Sequence, residues 1–288
     1  MNNVFRKYFP YIIIVVWIGL LVLFIKNSYQ EPFISQDYSP EVFEKPASFP
    51  TPDVRNKSVI HTLKIPIIMY HYVEKISNRK DTTRIRLTTT PELFEEQLKQ
   101  LSKAKYQTYF AKDMPDILQN KITVSSNSAV LTFDDGYEDF YTVAFPLLKK
   151  YNMKSTLYVI VNYVGKKGFL TWSQIIKLRD SGIVEIGSHT MNHINLQKAT
   201  EKESQKEIFS SKTILEGVLG KPVVSFAYPI GAFGLKDIEL VKKAGYVDAV
   251  SVISGQEQSD LNIFILSRIR ANYLVGNDIP SILRHWKK

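Results

Sequence analysis

The run Ala129-Val-Leu-Thr-Phe133 is followed at once by Asp134-Asp135-Gly136. Five apolar or β-branched residues closed by Asp-Asp-Gly read as a short strand with an abrupt exit. Two adjacent carboxylates at a strand exit repel each other unless a cation or a proton separates them. Taken alone, the pair fits equally well a helix N-cap with a solvated Asp beside it.

The same grammar extends in both directions. Candidate strands at Ile65–Met69, Tyr106–Phe110, Ser155–Val161, Ile183–Ile186, Val223–Tyr228, Ala249–Val252 and Phe264–Ser267 flank this one. Between them lie candidate helices at Pro91–Lys103, Asp113–Leu118, Tyr137–Tyr151, Trp172–Ser181, Glu201–Leu219, Leu235–Lys243 and Pro280–Trp286. Thr90 caps a helix opened by Pro91, and Gly182 and Gly220 sit where helix C-caps belong. Strand–helix alternation predicts an α/β fold with a parallel sheet, closed as a barrel or open. In such folds the chemistry sits at the C-terminal ends of strands, where Asp134 and Asp135 stand.

The 288 residues hold 37 Lys+Arg against 28 Asp+Glu, five His and no Cys. A hydrophobic fraction of 44% excludes global disorder. The lack of Cys excludes a disulfide scaffold, a thiolate zinc site, a Cys nucleophile and a lipoprotein-type anchor. Residues 1–60 carry almost none of the net charge of +9, and the rest is spread thinly over 61–288. That is a basic surface suited to an anionic envelope or polymer rather than a nucleic-acid groove.

Arg6 and Lys7 precede an apolar, uncharged run from Tyr11 to Ile25 that Lys26 closes. We expect residues 1–26 to be an uncleaved transmembrane anchor with the N-terminus in the cytoplasm; a cleaved signal peptide is the rival. Residues 27–60, with Pro32, Pro40, Pro46, Pro50 and Pro52, read as an extracellular linker, and 61–288 as the functional domain.

A second strand end identifies the chemistry. Ile183-Val-Glu-Ile-Gly187 leads into Ser188-His189-Thr190-Met191-Asn192-His193. The four-residue spacing predicts both imidazoles on one face of a helical turn. Two neutral imidazoles and Asp135 would form a three-ligand site with an open position, as in catalytic zinc centres. Asp134, beside that position, is then free to act as base on a water. Ser225-Phe-Ala-Tyr-Pro229-Ile230-Gly231 is a turn at a third strand end, whose amides suit an oxyanion hole or simply close the turn. His71 ends the strand of Ile67-Ile-Met-Tyr-His71 and reads as a general acid or a half-buried structural His. Arg268, near the last strand's end, could grip a carboxylate of the site by both oxygens. His61 and His285 have no such setting.

Over roughly residues 62–275 the chain resembles the polysaccharide deacetylases, the NodB-homology group of carbohydrate esterases. Thr132-Phe-Asp-Asp-Gly136 matches that family's first motif, and Ser188-His-Thr-Met-Asn-His193 its second. The resemblance implies a distorted (β/α)7 barrel and metal-dependent removal of acetyl groups from sugars. It implies Asp134 as base and Asp135, His189 and His193 as metal ligands. Two departures stand out. The family's Arg-x-Pro-Tyr motif, aligned on Pro229, has Ala227 for Arg and Ile230 for Tyr, leaving the Ile230 amide for the oxyanion and Arg268 as a substitute for the missing arginine. The family's Leu-x-His motif appears as Leu266-Ser-Arg268, without the His. The stretch Met69-Tyr-His71-Tyr-Val resembles the poly-N-acetylglucosamine deacetylase subgroup, in which an early His supplies the acid, and that favours His71. Trp172 corresponds to a Trp of the family that walls the site or packs.

The expected cofactor is a divalent metal, zinc by ligand type, with cobalt or nickel suited to the same ligands. The expected partners are an N-acetylated glycan (poly-N-acetylglucosamine, a wall polysaccharide or peptidoglycan) and the bilayer through the N-terminal helix, with no nucleic acid and a monomeric chain. The rival functions are an O-acetyl esterase and a catalytically inactive glycan-binding domain.

Overall fold

A computed structural model describes residues 61–276 and 278–286. The expected anchor (1–26) and linker (27–60) lie outside the described residues. Among those described, no helix is long and apolar enough to cross a membrane.

The strands of the main sheet are β1 (Ile67–Tyr70), β2 (Gln107–Tyr109), β3 (Ser128–Phe133), β4 (Ser155–Val159), β5 (Val184–Ser188), β6 (Ser225–Ala227), β7 (Asp248–Ser254) and β8 (Leu266–Arg270). Seven of them close a parallel ring in the order β1-β3-β4-β5-β6-β7-β8, with β8 returning to β1 through Ile269↔Ile68. β2 is not a stave of its own. It pairs with the first half of β3 (Gln107↔Ser128), on the edge whose second half pairs with β4 (Thr132↔Thr156). Of the closed and open sheets the sequence allows, the barrel is the one formed.

Parallel neighbours need crossovers, and capped helices supply them. α1 (Pro91–Lys103) starts at Thr90, whose hydroxyl accepts from the Leu93 amide, and buries Phe94, Gln97, Leu98 and Leu101 at helical spacing. α2 (Trp172–Asp180) and α3 (Glu201–Leu219) each open on a capping box, Thr171 with Gln174 and Thr200 with Glu203. α3 ends at Gly220 in the left-handed region, φ 62°. α4 (Leu235–Lys243) follows β6.

Several segments depart from the sequence expectation. The helix expected over Tyr137–Tyr151 is a wide π turn, Phe140–Ala144, running into a shorter α-helix, Phe145–Lys150. Pro146 has no N–H for the ordinary ladder, and the wider turn absorbs the mismatch. The helix expected at Asp113–Leu118 divides into a 3-10 turn, Ala111–Asp113, and Met114–Leu118, with Pro115 in its first turn. A short helix at Thr82–Leu87 and an antiparallel pair, Thr62–Lys64 with Glu257–Ser259, were not legible in the sequence.

Strand alternation sorts the barrel residues into two faces. Ile68, Leu131, Phe133, Leu157, Val159, Phe226 and Ile269 point outward and share a core with Phe94, Leu98, Ile175, Ile208 and Leu240 of the helices. Ile67, Val130, Tyr158, Ala227, Val250 and Leu266 fill the inside. Following these inner rows toward the strand C-termini leads from Ile67 to His71, from Val130 to Asp134, and from Leu266 to Arg268 and Arg270. On β5 the row runs Glu185, Gly187, His189. Gly187 leaves the room that Tyr158 fills: a Cβ there would sit 2.5 Å from that ring. The two-residue period of the strands thus brings His71, Asp134, His189 and Arg268 to one end of the barrel.

Candidate active site

At that end Asp134 and Arg268 form a bidentate pair. Nη1 donates to Asp134 Oδ1 at 2.8 Å and Nη2 to Oδ2 at 2.8 Å. Both side chains are almost wholly buried, Arg268 1% and Asp134 3% exposed. Nε of Arg268 donates to the Ser251 carbonyl at 2.7 Å, and Nη1 also reaches Thr132 Oγ1 at 3.2 Å. Burial alone would raise the Asp134 pKa, but the charge and hydrogen bonds of Arg268 outweigh it and hold the carboxyl below its ordinary value.

Asp135 points the other way. Its Oδ1 lies 3.4 Å from His189 Nε2 and 3.4 Å from His193 Nε2. The three ligand atoms lie within 4.8 Å of one another. The Oδ1 atom is buried and accepts no hydrogen bond among the described residues. A buried carboxylate oxygen facing two ring nitrogens, with nothing to satisfy it, fits a divalent cation. The His189 ring is already oriented: its Nδ1 lies 2.8 Å from the Ala227 carbonyl, so the proton sits there and Nε2 keeps its lone pair. Burial lowers the His193 pKa to about 4, against the pull of Asp135, so this ring is neutral at neutral pH, as a metal ligand must be.

The helical turn expected at 189–193 is not what brings the two His together. The segment is an irregular loop, with Thr190 (φ 67°) and His193 (φ 59°) in the left-handed region. Glu207 of α3 holds it: Oε2 accepts from the amides of Met191 (2.9 Å) and Asn192 (2.8 Å), and Oε1 from the Asn192 side chain (2.6 Å). Thr190 Oγ1 accepts from the His193 amide at 3.0 Å. A helix was the wrong inference because the loop's donors are taken up by a side chain from a distant helix rather than by its own carbonyls. Glu207 itself escaped the sequence reading, although it falls between Ser204 and Ser211 on the stripe that α3 buries. A charged residue on a buried stripe was the signal.

His71 Nε2 lies 3.8 Å from Asp134 Oδ2. Burial lowers its pKa; Asp134 and Asp135 oppose the shift, and Arg268 and Arg270 add to it. The ring is therefore neutral at neutral pH. The Pro229–Gly231 turn holds Ile230 at φ 62°, a costly conformation for a β-branched residue. Within it the amides of Gly231 and Ala232 donate to Tyr228 and Pro229. Of the seven non-glycine residues with positive φ among the described residues, four (Asp135, Thr190, His193 and Ile230) belong to these loops. Trp172 stands at the first turn of α2 and packs, half-buried, against the outer core. His61 and His285 lie apart from the site.

Comparison with known proteins identifies relatives of this chain. The polysaccharide deacetylase family profile matches residues 121–249. YxkH of Bacillus subtilis, itself assigned by name to the polysaccharide deacetylases, is 31% identical over 209 residues, 73% of this chain and 72% of that protein. The poly-beta-1,6-N-acetyl-D-glucosamine N-deacetylase of Staphylococcus aureus is 27% identical over 173 residues; the match takes in 55% of this chain and 58% of that enzyme's length. Among solved structures, the Streptococcus pyogenes deacetylase PplD, in complex with acetate, superposes with a TM-score of 0.70 at 28% identity, over 78% of this chain and 99% of that one. The fold and the motifs define a carbohydrate-active hydrolase built on a parallel barrel. The chain belongs to the polysaccharide deacetylase family, whose members cleave N-acetyl amide bonds.

Proposed function

We propose that this protein removes acetyl groups from N-acetylglucosamine residues of a cell-surface or cell-wall polysaccharide, with a divalent metal, zinc by ligand type, held by Asp135, His189 and His193. The observation that carries the reading is the pairing of opposites at one barrel end. Asp134 is fixed as an ionised carboxylate by Arg268, beside Asp135, whose oxygen is left unsatisfied between two imidazoles. A binding module has no use for a fixed base next to a ligand cluster.

The bound metal would supply Lewis acidity toward the acetyl carbonyl and acidity to a water. Asp134 takes a proton from the attacking water, and Arg268 keeps the base ionised and aimed. His71, neutral at rest and 3.8 Å from Asp134, accepts that proton and delivers it to the departing amine. One proton thus travels from water to amine and no charge is left behind. The Ile230 amide donates to the oxygen on which negative charge develops. The relationship to the staphylococcal enzyme supports N-acetylglucosamine as the acylated sugar. The apolar run at Tyr11–Ile25 supports a catalytic domain carried outside the cell on a single-pass anchor.

The test is acetate release by the full chain from poly-N-acetylglucosamine oligomers, wall polysaccharide, peptidoglycan and acetylxylan. Release from an N-acetylated glycan is expected, with Asp134→Asn losing about 10²–10⁴-fold of the rate while still binding metal, and His189→Ala losing metal as well. Wild-type turnover by Asp134→Asn would overturn the mechanism. Release from acetylxylan alone would make the enzyme an O-acetyl esterase.

A further inference from the structure

Next to His71 the surface sinks into a small, open depression. His71 forms part of its lining together with Arg86, Thr89, Arg270 and Asn272. Two arginines, one exposed and one half-buried, thus border one small space. Arg270 stands on the inner row of β8, two residues beyond Arg268, and is half-buried. Arg86 comes from the short helix Thr82–Leu87, and its segment is tied to the end of β8 by the Asn272 side chain, which donates to the Arg86 carbonyl at 3.0 Å.

Neither Arg86 nor Arg270 has a carboxylate within salt-bridge distance among the described residues. The nearby acids are already committed. Asp134 has both oxygens on Arg268, Asp135 faces the two imidazoles, and Glu74 is taken by Arg84. Burial depresses the Arg270 pKa, and the like charges of Arg268 and Arg86 add to the effect against Tyr273 and Asp134. Arg86 is exposed and Arg270 half-buried, so the two like charges repel each other and Arg270 forgoes part of its hydration. A planar guanidinium pair beside an active site recovers that loss when it binds an oxyanion bidentately.

We propose that this depression is an anion subsite: Arg86 and Arg270 hold a phosphoryl or carboxyl group carried by the substrate glycan close to the N-acetylglucosamine that is deacetylated. The inference rests on the deacetylase reading for its substrate, and it narrows that substrate. An uncharged homopolymer would leave both guanidinium groups unanswered. A wall glycan with a phosphodiester or an acidic sugar next to N-acetylglucosamine would fill the site.

The test measures binding rather than turnover. The full chain, with zinc added, is titrated by calorimetry with N-acetylglucosamine 1-phosphate, N-acetylmuramic acid and the uncharged methyl N-acetylglucosaminide. At least one anionic sugar is expected to bind tenfold or more tightly than the methyl glycoside, and which one identifies the anion as phosphoryl or carboxyl. That preference should fall about tenfold in Arg270→Gln and vanish in Arg86→Gln/Arg270→Gln. It should also shrink with added salt, as interactions between partly exposed charges do. Equal binding of the three sugars, or a preference that survives the double variant, would overturn the subsite. Acetate release is read separately: an anion preference without release from any glycan would leave the subsite standing and overturn the deacetylase reading instead.

Discussion

Arg268 shows how much a single side chain can carry at this site. It is fully buried, and each of its three nitrogens has an acceptor: the Ser251 carbonyl, Thr132 Oγ1 and the two oxygens of Asp134. A buried guanidinium with every nitrogen satisfied tolerates its desolvation only as long as its partner stays. Arg268→Met is therefore expected to strand Asp134 and lower stability by about 3–5 kcal/mol, read from urea unfolding. Adding Asp134→Asn should recover a large part of that loss, because the uncompensated charge is gone. Equal stabilities for wild type and Arg268→Met would show that the pair is not coupled. The residue was within reach of the sequence: the position where the family motif has Arg is Ala227, and Arg268, near the end of the last strand, is an arginine able to grip a carboxylate of the site in its stead. What the sequence could not show is why Ala227 suits its place. Its carbonyl, not its side chain, is the working group, orienting His189 at 2.8 Å.

Among the elements, the strands were far more legible than the loops between them. Each barrel strand announces itself as an apolar run with an abrupt end, because burial on both faces is a local, one-dimensional constraint. The loop at 189–193 carries no such mark. Its conformation is set by Glu207, which is remote in sequence and arrives on α3, so that spacing arguments applied to the loop alone predict a helix. The same remoteness makes α3 a functional element rather than a mere crossover. Glu207→Gln keeps the size of the side chain but replaces one acceptor oxygen with an NH₂ that faces donors. It is expected to weaken zinc binding about 10–100-fold, as loss of groups that orient metal ligands commonly does. Calorimetric zinc titration measures this, and the thermal midpoint of the metal-free protein serves as control. A variant that loses zinc affinity with an unchanged midpoint places Glu207 as a positioning residue; equal loss of both would make it a structural one.

Across the whole molecule, the barrel stacks three layers that differ in polarity: the site at the strand C-termini, an apolar middle of Ile67, Val130, Val250 and Leu266, and a second polar layer at the opposite end. In that lower layer two buried acids meet over one hydroxyl. Ser225 Oγ lies 2.7 Å from Glu185 Oε1 and 2.8 Å from Asp248 Oδ2, while Thr156 donates to Glu185 Oε2 at 2.6 Å. A serine has one hydrogen to give, so one of the two short contacts has to be made by a carboxyl proton. Burial first, and then the charge of Glu185, push Asp248 well above the ordinary carboxyl range; burial likewise raises Glu185 against the hydrogen bonds of Thr156 and Ser225. The folded barrel thus keeps a proton that the unfolded chain releases above about pH 4. Folding then takes up a proton, and the contribution of this pair to stability falls as pH rises from that point, by up to about 1.4 kcal/mol per pH unit, until the folded pKa is passed. Asp248→Asn supplies the missing hydrogen covalently. Its amide donates where the carboxyl proton stood, with no proton to be taken up. Relative to wild type, the variant should gain stability steadily between about pH 5 and the folded value and level off beyond it. Urea unfolding of the two proteins across that range measures the difference directly. Parallel stability curves would mean that both carboxyls ionise in the folded state and that the barrel base holds no shared proton.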